Sequence, residues 1–179
     1  ANVTAALTGS DFQNLNGKLE SNNLRYEEDG KDVSLDFMNV VFDRKKQSDF
    51  INIQSSSLNA TVQGKIDYEH VLDDFTQNLS LVFPSLIQTK KARNKEEGQS
   101  DFSYRFQVSR INNFLDIFVP GLKIADGTTL NGAFKSREDI LMAKLNSNEM
   151  EFEGFRFQSI AMDQTITPVG VDGSLSIAT

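Results

Sequence analysis

Histidine and carboxylate side chains are the groups with which this chain could perform acid–base or metal chemistry, and they come together at one place. His70 is the single histidine, beside Glu69, with Asp73 and Asp74 one helical turn away. The spacing permits a histidine–carboxylate metal site or general base. The same spacing is typical of the solvated face of a surface helix, which we favour. Cysteine is absent, which excludes disulfides, thiolate nucleophiles and thiolate metal sites.

A second group of carboxylates alternates along one strand. Glu149, Glu151 and Glu153 share one face, while Met150 and Phe152 occupy the other. A calcium ladder is conceivable, but the chain has no loop with the glycine turn of an EF-hand. The Gly-x-Ser-x-Gly elbow and the phosphate-binding glycine loops are also absent. We therefore predict no enzymatic activity, no metal site and no cofactor.

The charge balance argues against nucleic acid as a partner. Asp and Glu number 25 against 18 Lys and Arg, a net charge of −7, whereas phosphate binding needs a basic surface. One basic cluster, Lys90–Lys95, is followed at once by Glu96 and Glu97. We interpret residues 88–101, which contain no large apolar side chain, as a solvated loop.

The elements that would position any site are mainly strands. The stretch Phe102–Ser136 opens with apolar residues at every second position, as in a strand with one apolar face. The period then becomes helical over Ile111–Phe118, where Pro120 and Gly121 end the helix, and strand alternation returns up to Phe134. A second amphipathic helix is predicted over about Tyr68–Phe83.

The remaining segments are short alternating runs joined by tight turns, which favours an antiparallel meander. In one run the apolar phase changes after Phe37, which suggests a bulge at Met38–Asn39. The segment Arg44–Asp49 is interpreted as a charged turn. No linker divides the chain, so residues 1–179 are predicted to form one domain. Because the chain begins without Met, we expect a fragment of a longer protein.

An internal repeat is visible at an offset of just over one hundred residues. The segment Leu15–Ser21 matches Leu130–Ser136, and the strand around Gly64 matches that around Gly173. The repeat units are about 11–84 and 102–179. A glycine recurring inside a strand indicates close backbone approach or a bend, as expected where a sheet curls.

The helix ending in FVPGLKIADGTTL, followed by LNGAFKS, resembles repeats in the C-terminal part of TamB-like proteins of the Bacteroidetes type. TamB is a translocation and assembly module protein related to the AsmA family. The resemblance runs over about Asp11–Ile177. It implies a curled antiparallel sheet, a β-taco or partly open barrel with an apolar interior and two short helices.

The same resemblance implies a function and a location. TamB-like proteins are periplasmic, anchored in the inner membrane, and linked to phospholipid movement between the membranes. They are also linked to outer-membrane protein assembly through a barrel partner of TamA type. We expect the anchor and the final segment that would engage that barrel to lie outside this chain, so that barrel docking would involve other parts of the protein.

Two interpretations of the apolar stripes remain open. In the first they line a groove for phospholipid acyl chains, favoured by the 14 Phe residues and by the width of a single curled sheet. The predicted groove residues are Phe102, Tyr104, Phe106, Leu130, Phe134, Phe152, Phe155 and Phe157. In the alternative, the stripes fill the closed core of a structural or protein-interaction β-domain.

Overall fold

The computed structural model describes residues 2–9, 15–28, 31–45, 48–71, 73–74, 100–118 and 120–178. Most of these residues are in strands, because β-branched and aromatic residues alternate with polar ones along the chain. The strands are β1 Asn2–Thr8, β2 Asn16–Glu28, β3 Lys31–Lys45, β4 Ser48–Ser55, β5 Leu58–Lys65, β6 Asp101–Val108, β7 Leu122–Ile124, β8 Thr129–Lys135, β9 Ile140–Phe152, β10 Phe155–Thr167 and β11 Gly170–Ala178.

All eleven strands belong to one antiparallel sheet whose neighbours follow chain order. The order is β1-β2-β3-β4-β5-β6-β8-β9-β10-β11, and β7 pairs with β9. Strands β7 and β8 lie end to end along the same edge of β9, so the sheet has ten strand positions. The sheet does not close into a barrel. The predicted fold class, a mainly β chain with an open antiparallel sheet, is confirmed.

The register collects apolar side chains on one face, which we call the apolar face. Its central row crosses all ten strand positions and has an apolar residue at each of them. These residues are Ala5, Leu19, Val40, Ile53, Ala60, Phe106, Leu130, Leu145, Met162 and Leu175. The opposite, polar face carries Asn, Gln, Thr and charged side chains because successive residues of a strand point to opposite sides.

Burial on the apolar face is greatest in one of the flanking rows. Phe134, Leu141 and Ile166 form a buried cluster, and Phe102 packs against it. Val71 also packs on this cluster from the segment that follows β5. In the central row Val40 and Ala60 are buried, whereas Phe106, Leu130 and Leu145 are only half-buried.

Helix α1 spans Asn112–Phe118, close to the predicted Ile111–Phe118. It contacts β7 and β3, and the Asn112 side chain accepts a hydrogen bond from the Ile124 N–H at 2.8 Å. The other predicted helix, Tyr68–Phe83, lies largely outside the described residues. Its described part begins a helical turn, in which the Val71 N–H donates to the Asp67 carbonyl at 2.8 Å. Within the described part of the chain, no helix has the length and hydrophobicity of a membrane span.

The phase change in β3 has a different origin from the predicted bulge. Met38 and Asn39 pair in regular register with Ser21 and Glu20, so the bulge prediction is wrong. The register is the same on both sides of Asn23, since Asn22–Phe37 and Leu24–Leu35 are pairs of one continuous ladder, and Asn23 itself has a φ of +55°. Beyond this point the apolar residues occupy the other set of alternate positions.

The β9–β10 hairpin changes phase in the same way. Its register is likewise the same for Ile160–Ser147 and Gln158–Glu149, and Ser159 between these pairs has a φ of +49°. On β9 the alternating apolar residues are Leu141, Ala143 and Leu145 before this point, and Met150 and Phe152 after it. In each hairpin a residue in the left-handed conformation thus stands where the apolar residues change from one set of alternate positions to the other.

The predicted charged turn Arg44–Asp49 is largely strand. Arg44 lies in β3 and Asp49 in β4, where the two residues pair directly, and residues 46–47 lie outside the described part. The predicted loop 88–101 is described only at Ser100 and Asp101, and Asp101 already begins β6.

Candidate functional site

Five of the eight predicted groove residues lie together on the apolar face. Phe102, Tyr104 and Phe106 are alternate residues of β6, and Leu130 and Phe134 face them from β8. The Phe102 and Phe134 ring centroids are 5.6 Å apart, and those of Tyr104 and Phe106 are also 5.6 Å apart. We call these five residues the β6–β8 aromatic cluster. It offers a continuous apolar surface in the middle of the sheet.

The members of the β6–β8 aromatic cluster differ in access. Phe134 is completely buried, with 0% of its surface exposed, because it packs with Leu141 and Ile166 in the buried cluster. Phe106 and Leu130 belong to the central row and keep part of their surface accessible. A ligand lying along the central row would therefore contact Phe106 and Leu130, whereas Phe134 lies in a flanking row, where it packs against Phe102.

Tyr104 brings a polar group into this apolar surface without leaving it unpaired. Its hydroxyl donates a 2.8 Å hydrogen bond to the Met142 carbonyl on β9. The ring reaches that strand by passing over Gly132, its direct partner on β8. Burial raises the pKa of the Tyr104 hydroxyl from 10.0 to about 12.

Phe152, Phe155 and Phe157 do not join the β6–β8 aromatic cluster. Phe152 pairs with Phe155 at the tip of the β9–β10 hairpin, seven residues along β9 from Leu145, or about 23 Å at 3.3 Å per residue. The Phe155 side chain is 71% exposed. The sequence pattern correctly makes these residues apolar positions of strands, but the register moves them to another end of the sheet.

The opposite face of this hairpin tip is charged. Glu151 receives hydrogen bonds from the side chains of Lys123, at 3.0 Å, and Arg156, at 3.4 Å. These hydrogen bonds hold the pKa of the Glu151 carboxyl below its usual value. The Arg156 guanidinium also lies 3.6 Å from Glu149. Two of the three glutamates considered as a calcium ladder therefore have basic partners.

Arg44 and Asp49 form a largely buried charged pair on β3 and β4, at the end of the apolar face. The sequence analysis did not predict this pair. The Asp49 carboxylate lies 2.9 Å from Nε of Arg44 and accepts a hydrogen bond from the Ile66 N–H at 3.2 Å. The Arg44 guanidinium stacks 4.9 Å from the centre of the Tyr68 ring. Burial, followed by the negative charge of Asp49, raises the pKa of Tyr68 against the opposing effect of Arg44. The sequence does carry a signal for this placement. Asp49 stands two residues before Ile51 and four before Ile53, and alternate residues of a strand share a face.

A cavity of about 380 Å³ on the sheet is lined by Thr61, Gln63, Ser103, Tyr104, Arg105, Asn131 and Gly132. Arg105 is already held there by a 3.0 Å hydrogen bond from its Nε to the Asn131 side chain. This lining has hydroxyl, amide and guanidinium groups but no carboxylate or imidazole. It thus lacks the paired acid and base that hydrolytic chemistry uses.

The residues of the predicted histidine site, Glu69, His70, Asp73 and Asp74, lie in the described part of the chain. His70 Nδ1 lies 2.9 Å from the Asp67 carboxylate, three residues earlier. Among the residues that the structure describes, no group of three or more metal-ligating side chains is close enough to hold a metal ion.

Comparisons with protein-family models, with curated proteins and with solved structures find no match for this chain.

Proposed function

We propose that this chain is a non-enzymatic segment of a TamB-like periplasmic protein whose apolar face binds phospholipid acyl chains. In this proposal the chain supports phospholipid transport between the inner and outer membranes, and it also supports outer-membrane protein assembly. The full protein would be anchored in the inner membrane. A barrel partner of TamA type would be engaged through parts of the protein outside this chain.

The observation that carries the proposal is the central row. An apolar residue occupies every one of its ten strand positions, and the described residues form a single sheet without a second sheet facing it. In a two-layer β-domain a second apolar layer covers such a face. An acyl chain is a long, flexible apolar ligand, and it would cover a row that extends across many strands.

The alternative is a structural or protein-interaction domain in which the apolar face is an ordinary core. Its support is the buried cluster of Phe134, Leu141 and Ile166, which already packs like a core. The two proposals differ at the central row, because only lipid binding requires Phe106 and Leu130 to be accessible to a ligand.

The test is native mass spectrometry with lipid extraction on protein purified without detergent from a bacterial host. We expect co-purified phospholipid with the wild-type chain and loss of that phospholipid with Phe106→Glu, which puts a charge into the central row. Gln107→Glu is the matched control, since Gln107 is the next residue, is exposed and lies on the polar face. Phe134→Glu is unsuitable because a buried, unpaired charge would unfold the protein.

Two results would count against lipid binding. One is a folded Phe106→Glu variant, verified by circular dichroism, that carries as much phospholipid as Gln107→Glu. The other is a wild-type chain that carries none after gentle preparation, which would favour the closed-core alternative.

A further inference from the structure

The cavity described above is built by three neighbouring strands in the middle of the sheet, β5, β6 and β8. Thr61 and Gln63 of β5 pair with Arg105 and Ser103 of β6, and Asn131 of β8 pairs with Arg105 from the other side. These five lining residues belong to the polar face, because they alternate with residues of the apolar face. The volume of about 380 Å³ is typical of a small-molecule site and exceeds what a bare phosphate or carboxylate ion needs.

The Arg105 guanidinium is held in place but has no opposite charge beside it. Its Nε donates a 3.0 Å hydrogen bond to the side-chain oxygen of Asn131. In the part of the chain that the structure describes, no carboxylate pairs with Arg105, whereas Arg44, Arg110 and Arg156 are each paired with an Asp or a Glu. The two Nη groups of Arg105 therefore remain for a ligand. The fork that they form matches two oxygens of a phosphate or carboxylate group.

The charge around Arg105 also favours an anion. On the polar face of β5, β6 and β8 the charged residues are Lys65, Asp101, Arg105 and Lys135, three bases against one acid. Asp101 lies between the two lysines in the register, at the end of these strands. The whole chain has the opposite balance, with a net charge of −7. A small basic area in an acidic chain attracts a small anion, but it is too limited for a polyanion such as nucleic acid.

The other side chains of the cavity are neutral and polar. Gln63 and Asn131 carry amides, and Thr61 and Ser103 carry hydroxyls. The Thr61 hydroxyl donates a 3.2 Å hydrogen bond to the Asn52 side chain, which leaves its oxygen free to accept one. Amide and hydroxyl groups both donate and accept hydrogen bonds, so they suit a ligand that carries hydroxyl groups. A hydrocarbon chain would leave these groups without partners.

We propose that the cavity binds a phosphorylated or carboxylated sugar, a small anion with several hydroxyl groups. The anionic group contacts the Nη groups of Arg105. The hydroxyl groups of the sugar pair with Gln63, Ser103 and Asn131. The site lies on the polar face, opposite the central row, so it is separate from the phospholipid binding proposed above and does not depend on it.

Isothermal titration calorimetry of the wild-type chain tests the ligand class. The probes are glucose 6-phosphate, glucuronate, glucose and inorganic phosphate. We expect at least one of the two anionic sugars to bind at least about tenfold more tightly than either glucose or inorganic phosphate. The tighter of the two identifies the anionic group that Arg105 prefers. Absence of binding by both anionic sugars, or binding no tighter than that of inorganic phosphate, would overturn the proposal.

Two variants test the role of Arg105. Arg105→Gln should weaken binding of the anionic sugar at least about tenfold, because it removes the charged hydrogen bonds. Lys144→Gln is the matched control: it removes the same charge from the same face, beside Asn131 in the register, but from a lysine that is already paired with Asp163 at 3.1 Å. It should weaken binding by less than about twofold. Equal weakening by the two variants, with circular dichroism showing that both are folded, would mean that only the overall charge attracts the ligand and would contradict the proposed site.

Discussion

The Tyr104 hydroxyl and the Met142 carbonyl, which belong to strands that are not neighbours, are joined by a 2.8 Å hydrogen bond. Strand β8 lies between them, and its Gly132 leaves the space through which the tyrosine side chain passes. The bond ties β6 to β9 from the apolar face, in addition to the backbone ladders on either side of β8. Three adjacent strands are thereby held in one arrangement.

Replacing Tyr104 by Phe should remove this bond while keeping the ring. We expect a loss of about 0.5–1.5 kcal/mol in the free energy of unfolding, the usual contribution of one hydrogen bond. Urea unfolding at pH 7 measures it. An unchanged midpoint would mean that the bond contributes nothing to stability.

The alkaline stability of the protein should also depend on Tyr104. Its pKa is raised from 10.0 to about 12 in the folded state, so the folded protein keeps a proton that the unfolded chain releases. This proton binding contributes fully to the free energy of unfolding below pH 10, and the contribution is lost as the pH rises from 10 to about 12. Urea unfolding across this pH range should show a shallower decline for Tyr104→Phe than for the wild type. Some decline should remain in the variant because the pKa of Tyr68 is raised as well.

Gly132→Ala should destabilise the protein by about 1–3 kcal/mol through overpacking. The added Cβ would overlap the Met142 carbonyl oxygen and the end of the Tyr104 side chain, and the carbonyl belongs to a backbone that cannot move freely. Thermal unfolding measures the loss. Gly127→Ala provides a comparison, because Gly127 has φ of +80° but open space around it. If Tyr104→Phe and Gly132→Ala had fully additive effects, the contact between these residues would have no energetic role.

Phe134 should be the most sensitive aromatic residue of the predicted groove set. Its side chain is fully buried, so Phe134→Ala should cost about 3–5 kcal/mol by leaving a cavity. Phe155→Ala removes the same atoms from an exposed position and should change stability by no more than about 0.5 kcal/mol. Chemical unfolding of the two variants makes the comparison, and similar losses would contradict their assigned environments.

Asp49→Asn should reveal the contribution of the buried charged pair. The variant keeps the shape of the side chain but loses the charge that faces Arg44, and we expect a cost of about 1.5–3 kcal/mol. Asp163→Asn is the matched control, since the pair of Lys144 and Asp163 is 60% exposed on each side and should contribute less than about 1 kcal/mol. Salt screens exposed charges more than buried ones. Raising the salt concentration should therefore reduce the stability loss of Asp163→Asn by a larger fraction than that of Asp49→Asn, which urea unfolding at two salt concentrations measures.

Local patterns predict the elements of this fold well. The change of period after Val108 places α1 almost residue for residue, and the alternation from Leu58 predicts β5. Each of these signals lies within a few consecutive residues, so the sequence carries it without knowledge of the partner strand. The same holds for Phe102, Tyr104 and Phe106, which share a face because they are alternate residues of one strand.

What the pattern cannot provide is the position of a residue along neighbouring strands. Phe152 and Phe106 are equally good apolar strand residues, and only the pairing register separates the hairpin tip from the central row. Asp49 shows the same difficulty. A carboxylate beside a turn is usually solvated, and its burial depends on Arg44 and the Ile66 N–H, which the register brings to it.

The meander also determines how this protein should fold. Most ladders join strands connected by short segments, and such ladders form with a small loss of chain entropy. The ladder between β5 and β6 is different, because residues 66–100 separate its two strands. Strands β1–β5 and β6–β11 are therefore expected to assemble as two kinetic units, with the β5–β6 junction as the slow step. Because folding and unfolding pass through the same transition state, separation of the two units at the β5–β6 junction should come before either unit unfolds.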